Sequence, residues 1–80
     1  MNVSRQERRV LLMLAQGGHI QVKRDAHKKI ESVTFLSREG WVMSGATADT
    51  WKRLRTRGLV RSRGTGIYVI SRAGLLAMQA

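Results

Sequence analysis

The sequence predicts a small α+β domain in which helices alternate with β-hairpins. Three observations lead there. Apolar residues recur at helical spacing in segments that open on a capping residue and close on glycine. Between those segments the apolar period shortens to two, the period of a half-buried strand. Proline is absent and glycine occurs eight times, so glycine alone shapes the turns. At 80 residues and 42% hydrophobic content the chain is one domain, residues 1–80, with enough apolar surface for a modest core. It has no cysteine, which excludes disulfide staples and thiolate metal sites and fits a reducing, cytoplasmic setting.

The first helix is expected from Arg5 to Gln16. Ser4 and Glu7 fit a Ser-x-x-Glu capping box, and Gly17-Gly18 supplies the left-handed stop. Arg5, Arg8 and Arg9 before an apolar run superficially resemble a signal peptide. The run Val10 to Ala15 has only six residues, below a signal core and far below a membrane span. His19 to Lys23 alternates polar with apolar as a strand. Arg24 to Lys28 reads as a polar turn in which Asp25 bonds nearby amides, and Ile30 to Leu36 is the returning strand. Glu31-Ser32 breaks the alternation, as a bulge would. Ser37-Arg38-Glu39-Gly40 is a second turn, with Trp41-Val42-Met43 as a third strand of a meander.

Thr47 caps the next helix, and Asp49 suits its positive end. Trp51 and Leu54 share the inner face, Lys52, Arg53 and Thr56 lie mostly outside, and Gly58 closes the helix after Arg57. Leu59-Val60 begins a strand, Arg63-Gly64-Thr65-Gly66 turns it, and Ile67 to Ile70 returns. Ser71 caps a last helix from Arg72 to Gln79, with Leu75, Leu76 and Met78 as packing residues. Trp51 belongs to the core. Trp41 either covers the sheet or marks a partner surface.

The formal charge is +10, and residues 47–74 hold seven basic side chains against one acid, so +6 of it sits in about a third of the chain. Solubility needs fewer charges than that. The concentration points to a surface that meets polyanions or an acidic protein face. His19 and His27 have no cysteine partner and no metal-ligand spacing, and no carboxylate pair stands out among five acids, so neither catalytic residue, metal nor cofactor is expected. The two-glycine turn at 64–66 lacks the Walker lysine. The charged helix from Thr47 to Arg57 could attract anionic lipid but lacks the large, open apolar face that membrane insertion needs.

The second half resembles the winged helix-turn-helix pattern, in which a recognition helix is followed by Gly-Leu-Val, a basic two-stranded wing and Ser/Thr-x-x-Gly-Leu. Here these are Gly58-Leu59-Val60, the Arg61 to Val69 hairpin, and Ser71-Arg72-Ala73-Gly74-Leu75. One departure is that apparent strands fill the place of the helix that normally precedes the recognition helix. Either the architecture is a variant or Trp41 to Ala46 forms a short turn. The expected fold is therefore winged-helix-like: helix, hairpin or meander, helix, wing hairpin, helix.

A second resemblance covers almost the whole chain. The opening MNVSRQERRVLLMLAQGGHI, the internal SREG, and TWKRLRTRGLV followed by IYVISRAGL are similar to the YjhX-type small bacterial proteins. That resemblance implies a non-catalytic toxin of a toxin–antitoxin pair, an inhibitor of DNA topoisomerase I restrained by a cognate antitoxin. It assigns a role to no numbered residue.

The basic residues themselves suggest two readings. In one, Arg57, Arg61 and Arg63 make forked, charge-assisted bonds to acidic or phosphate-like surfaces of the enzyme or its DNA, and Lys52 and Arg53 widen the patch. In the other, the chain is a winged-helix transcriptional regulator. There Arg53 reads a base edge, Thr56 meets a base or phosphate, and Lys52, Arg57, Arg61 and Arg63 grip phosphates. A solvated charged face is the plain alternative to both. The oligomeric state is not encoded in any feature of the chain.

Overall fold

Capping chemistry sets the first element. Glu7 N–H donates to Ser4 Oγ at 3.1 Å and Ser4 N–H donates to Glu7 Oε1 at 2.8 Å, the reciprocal box expected from the sequence. In the computed structural model, which describes residues 3–79, this box opens α1 (Arg5–Ala15). Gly17, at φ +104°, closes it; Gly17 N–H reaches Leu14 O and Gly18 N–H reaches Met13 O, both at 3.1 Å. That pair of bonds is a Schellman ending. β1 (His19–Arg24), β2 (Ile30–Leu36), α2 (Ala48–Thr56), β3 (Val60–Gly64), β4 (Ile67–Ile70) and α3 (Arg72–Met78) follow.

The four strands form one antiparallel sheet in the order β2-β1-β4-β3. Ile20 and Val22 of central β1, Phe35 of β2 and Val60 of β3 turn one face inward, where they meet Val10, Leu11 and Leu14 of α1 and Trp51 and Leu54 of α2. His19, Gln21 and Arg61 take the alternate positions and face the other way. The bulge expected at Glu31-Ser32 is present. Lys23 pairs with Ser32 and Arg24 with Ile30, so Glu31 is the extra residue.

The expected third strand at Trp41-Val42-Met43 is reduced to a single bridge, Leu36 with Val42, and one bond from Met43 N–H to Phe35 O at 2.8 Å. Gly40 (φ +93°) and Gly45 (φ +86°) turn the chain on either side, leaving no length for a ladder. The segment also forms no helical turn, so the helix that would precede α2 in a winged pattern is absent among the described residues. The observed fold is α+β, three helices with a four-stranded antiparallel sheet. Trp41 does not cover that sheet, since it is 75% exposed.

α2 ends as α1 does: Gly58 (φ +71°) donates to Arg55 O at 3.0 Å and Leu59 to Leu54 O at 2.9 Å. The same corner receives α3. Ser71 N–H donates to Leu59 O (3.0 Å), Ser71 Oγ–H to Gly58 O (2.6 Å), and Gly74 N–H to Ser71 Oγ (3.1 Å). α3 buries Gly74 and Ala77, whereas Leu75 and Leu76, expected to pack, stay largely exposed. The helix approaches backbone to backbone, so its small residues face inward and the leucines are turned away. Among the described residues no helix is long and apolar enough to cross a membrane.

This close approach makes Gly74 irreplaceable, whereas Gly64 is not. A Cβ there would lie 2.3 Å from Leu59 O, while at Gly64 it would meet nothing within 4 Å. Gly74→Ala should cost about 2 kcal/mol or more, lowering Tm by about 8 °C or more. Gly64→Ala should stay within about 0.5 kcal/mol. Thermal unfolding followed by circular dichroism compares the two directly.

Candidate polyanion-binding surface

The orientation of α2 follows from two side chains. Trp51 and Leu54 are both fully buried, and Trp51 meets Tyr68 of β4 edge to face, 5.3 Å between ring centroids at 69°. The Arg55 guanidinium stands over the Trp51 ring, 5.4 Å from its centroid. With those positions fixed, Lys52, Arg53 and Thr56 must face solvent. Together with Arg57 they line one open concavity of about 230 Å³. Four of the six site residues expected from the sequence therefore share one surface feature.

Arg57 is held in place from beneath. Its Nη1 donates to Glu7 Oε2 at 3.1 Å, with the carboxylate side chain 5% exposed and the arginine side chain 28% exposed. Glu7 thus uses one oxygen to cap α1 and the other to hold the end of α2. Burial opposes its charged form. The Ser4 backbone N–H, the Ser4 side chain and the Arg57 and Arg53 guanidinium groups outweigh that and hold the carboxyl below its ordinary value of 4.5. This is the only ion pair among the described residues, and within them no other lysine or arginine is paired with a carboxylate.

The other two expected residues stand apart. Arg61 pairs with Val69 across the ladder and occupies the strand position between inward-facing Val60 and Ser62, so it projects from the sheet face opposite α2. Arg63 is the residue that the β3 register skips, between Ser62–Tyr68 and Gly64–Ile67, and sits beside the β3–β4 turn. Both are exposed. The basic side chains therefore do not form one continuous face: α2 carries one group, the far side of the sheet carries Arg61, and the hairpin end carries Arg63.

Two features escaped the reading of the residues. Glu7 was legible as a cap, but its ion pair spans 50 positions and needs the packing of α1 on α2. Arg24 and Lys28 read as part of a polar turn and Lys23 as the end of a strand, and the density of charge from Lys23 to Lys29 was the one available signal. Among the described residues no group of three or more His, Cys, Asp or Glu side chains is arranged to hold a metal ion.

Comparison with known proteins adds a family. Residues 1–80 match the model of the YjhX_toxin family, described as "Putative toxin of bacterial toxin-antitoxin pair". The chain is similar to a UPF0386 protein of Parvibaculum lavamentivorans, 44% identical over the whole chain and 94% of the relative. It is likewise 44% identical to a UPF0386 protein of Cereibacter sphaeroides (whole chain, 92% of the relative) and 38% identical to one of Rhizobium etli (whole chain, 94% of the relative). No solved structure matches.

Glu7→Gln keeps the size and the acceptor but removes the charge that holds Arg57. It should lower stability by roughly 1–3 kcal/mol at pH 7, less than for a fully buried pair because Arg57 is partly solvated. A carboxyl depressed in the folded state stabilises above its unfolded pKa, and that contribution is lost as pH falls through the folded value. Tm of the parent should therefore fall on acidification below about pH 4.5, and more steeply than that of Glu7→Gln. Melting curves from pH 7 to pH 2.5 check both expectations; parallel curves would leave Glu7 without this role.

Proposed function

The chain belongs to the YjhX toxin family, and from that membership we propose that it is a non-catalytic inhibitor of bacterial DNA topoisomerase I, acting in the cytoplasm and restrained by a cognate antitoxin. The contact surface is the α2 concavity lined by Lys52, Arg53, Thr56 and Arg57. The observation that carries this reading is the clustering of those side chains on one rigid helix, anchored by Trp51 within and by Glu7 at its end. A topoisomerase that relaxes supercoils must hold single-stranded DNA and open and close around it. A small cationic body lodged on an acidic surface of the enzyme, or on DNA beside it, stops either movement without any bond-making step. The guanidinium groups suit carboxylate and phosphate alike.

A second reading is a DNA-binding transcriptional regulator. It is favoured by the outer face of α2, where Lys52, Arg53 and Thr56 are all exposed on one rigid helix. In that case Arg53 and Thr56 meet bases and Lys52 and Arg57 meet phosphates, while Arg61, behind the sheet, and Arg63, at the hairpin end, fall outside the contact that the sequence suggested for them.

A relaxation assay with purified DNA topoisomerase I, beside a pull-down without DNA, separates the two. Inhibition with direct association is the expected result. Binding confined to one DNA sequence, with enzyme activity untouched once that DNA is competed away, would favour the regulator. Lys52→Glu combined with Arg53→Glu should raise the inhibitory concentration about tenfold or more, while Tm moves by less than about 5 °C, the equivalent of roughly 1 kcal/mol. Undiminished inhibition by a folded double variant would exclude the α2 concavity as the contact surface.

A further inference from the structure

Both hairpin turns lie at the same end of the sheet. β4 runs antiparallel to β1 with Ile67 opposite Gln21, and Val22 N–H donates to Gly66 O at 2.7 Å. The β3–β4 turn therefore rests against β1, which continues past it to Arg24, a further ~7 Å of strand before its own turn. At this end stand Lys23, Arg24, Lys28 and Lys29 from the first hairpin and Arg63 from the second, all exposed. The opposite end of the sheet is where α2 hands over to β3, since Val60 pairs with Ile70 there. The hairpin end is thus separate from the α2 concavity.

The first turn is built rather than loose. Asp25 Oδ1 accepts the backbone N–H of His27 (2.8 Å) and of Lys29 (2.9 Å). Asp25 N–H donates to Lys29 O (2.8 Å), Lys28 N–H to Asp25 O (2.9 Å), and Arg24 Nη1 to Lys28 O (3.1 Å). Lys28 takes a left-handed φ of 63°. The acid within the turn is thereby occupied in holding main chain. The second nearby acid, Glu31, is the bulged residue at the start of β2. None of the five cations forms an ion pair among the described residues.

We propose that the paired hairpin ends are a second anion-binding surface, which grips the phosphate backbone of double-stranded DNA. Cations on a fixed turn lose little conformational freedom when they bind. Residues 23–29 and 63–66 include no Phe, Tyr or Trp, and His27 is their one ring, so the surface offers little on which a run of unpaired bases can stack, and a duplex fits better than a single strand. A two-stranded ribbon enters the major groove of B-DNA, about 12 Å wide. The deep, narrow major groove of A-form RNA excludes it. The inference goes beyond the α2 reading and does not require topoisomerase.

The test is fluorescence anisotropy of the full chain with a labelled duplex of ~20 bp at about 50 to 200 mM salt. The variant Lys23→Gln/Lys28→Asn/Lys29→Gln spares Arg24, which shapes the turn, and gives the left-handed position a residue that tolerates it. It should flatten the log Kd–log salt slope by about 2–3 and weaken binding about tenfold or more at the low-salt end. Arg5→Gln/Arg8→Gln/Arg9→Gln, an equal loss of charge on α1, should change the slope by less than about 1. Equal effects of the two triple variants, no duplex binding by the parent, or tighter binding to an RNA duplex would each overturn the proposal. Glu31→Gln keeps every cation and should tighten binding severalfold; unchanged affinity counts against the proposal even if the triple variant misfolds. Loss of duplex binding with topoisomerase inhibition intact would leave the α2 reading standing, and the reverse would leave this one.

Discussion

One buried carboxylate joins the two ends of the chain's architecture. Glu7 is needed at the third helical position to satisfy the amide of Ser4, and the same group, turned toward α2, meets Arg57. Taking a carboxylate out of water is unfavourable by several kcal/mol unless its lone pairs are used, and here hydrogen bonds and guanidinium charge more than compensate. The arrangement fixes where α2 ends, and so the direction in which its outer residues are displayed. It also explains why Arg57 differs from its neighbours: Arg57 is oriented by direct contact with a partner on another helix, whereas among the described residues Lys52 makes no such contact and Arg53 acts on Glu7 only through its charge.

Around that contact the molecule economises on side chains where elements must come close. Gly18 leaves no room for a Cβ, which would lie 2.5 Å from Leu36 O, and at Gly66 it would lie 2.7 Å from Val22 O. With Gly74 against Leu59, these three points bring α1, the β3–β4 turn and α3 onto the sheet at backbone distance. A chain of this size has few large residues to spend on its interior, and such contacts let its large buried apolar side chains, Trp51 and Phe35 foremost, fill one continuous core.

Most of the fold was legible because it is written in local signals. Ser4 with Glu7, Gly17 with Gly18, Thr47 and Gly58 mark helix ends within one or two residues, and the alternation in His19–Lys23 and Ile67–Ile70 marks strands. The segment at 41–43 misled, since its residue types suit a strand while its flanking glycines allow a single bridge. α3 misled in the opposite sense: leucines at a helix surface look like core, but the close backbone approach at Gly74 turned them outward. For the site, the inner and outer faces of α2 followed from the phase of Trp51 and Leu54. What no local pattern holds is register. Only the pairing of β3 with β4 puts Arg61 behind the sheet and Arg63 at its end, and only the pairing of β1 with β4 brings two turns together.

The extra residue in β3 has an effect on how copies of the chain behave toward each other. β3 is an outermost strand, and its free rim would ordinarily invite a neighbour to add on. Arg63 interrupts the regular spacing of that rim, Gly64 weakens it further, and Arg61 adds repulsion along it. The β3 rim is therefore a poor template for a strand from another copy of the chain.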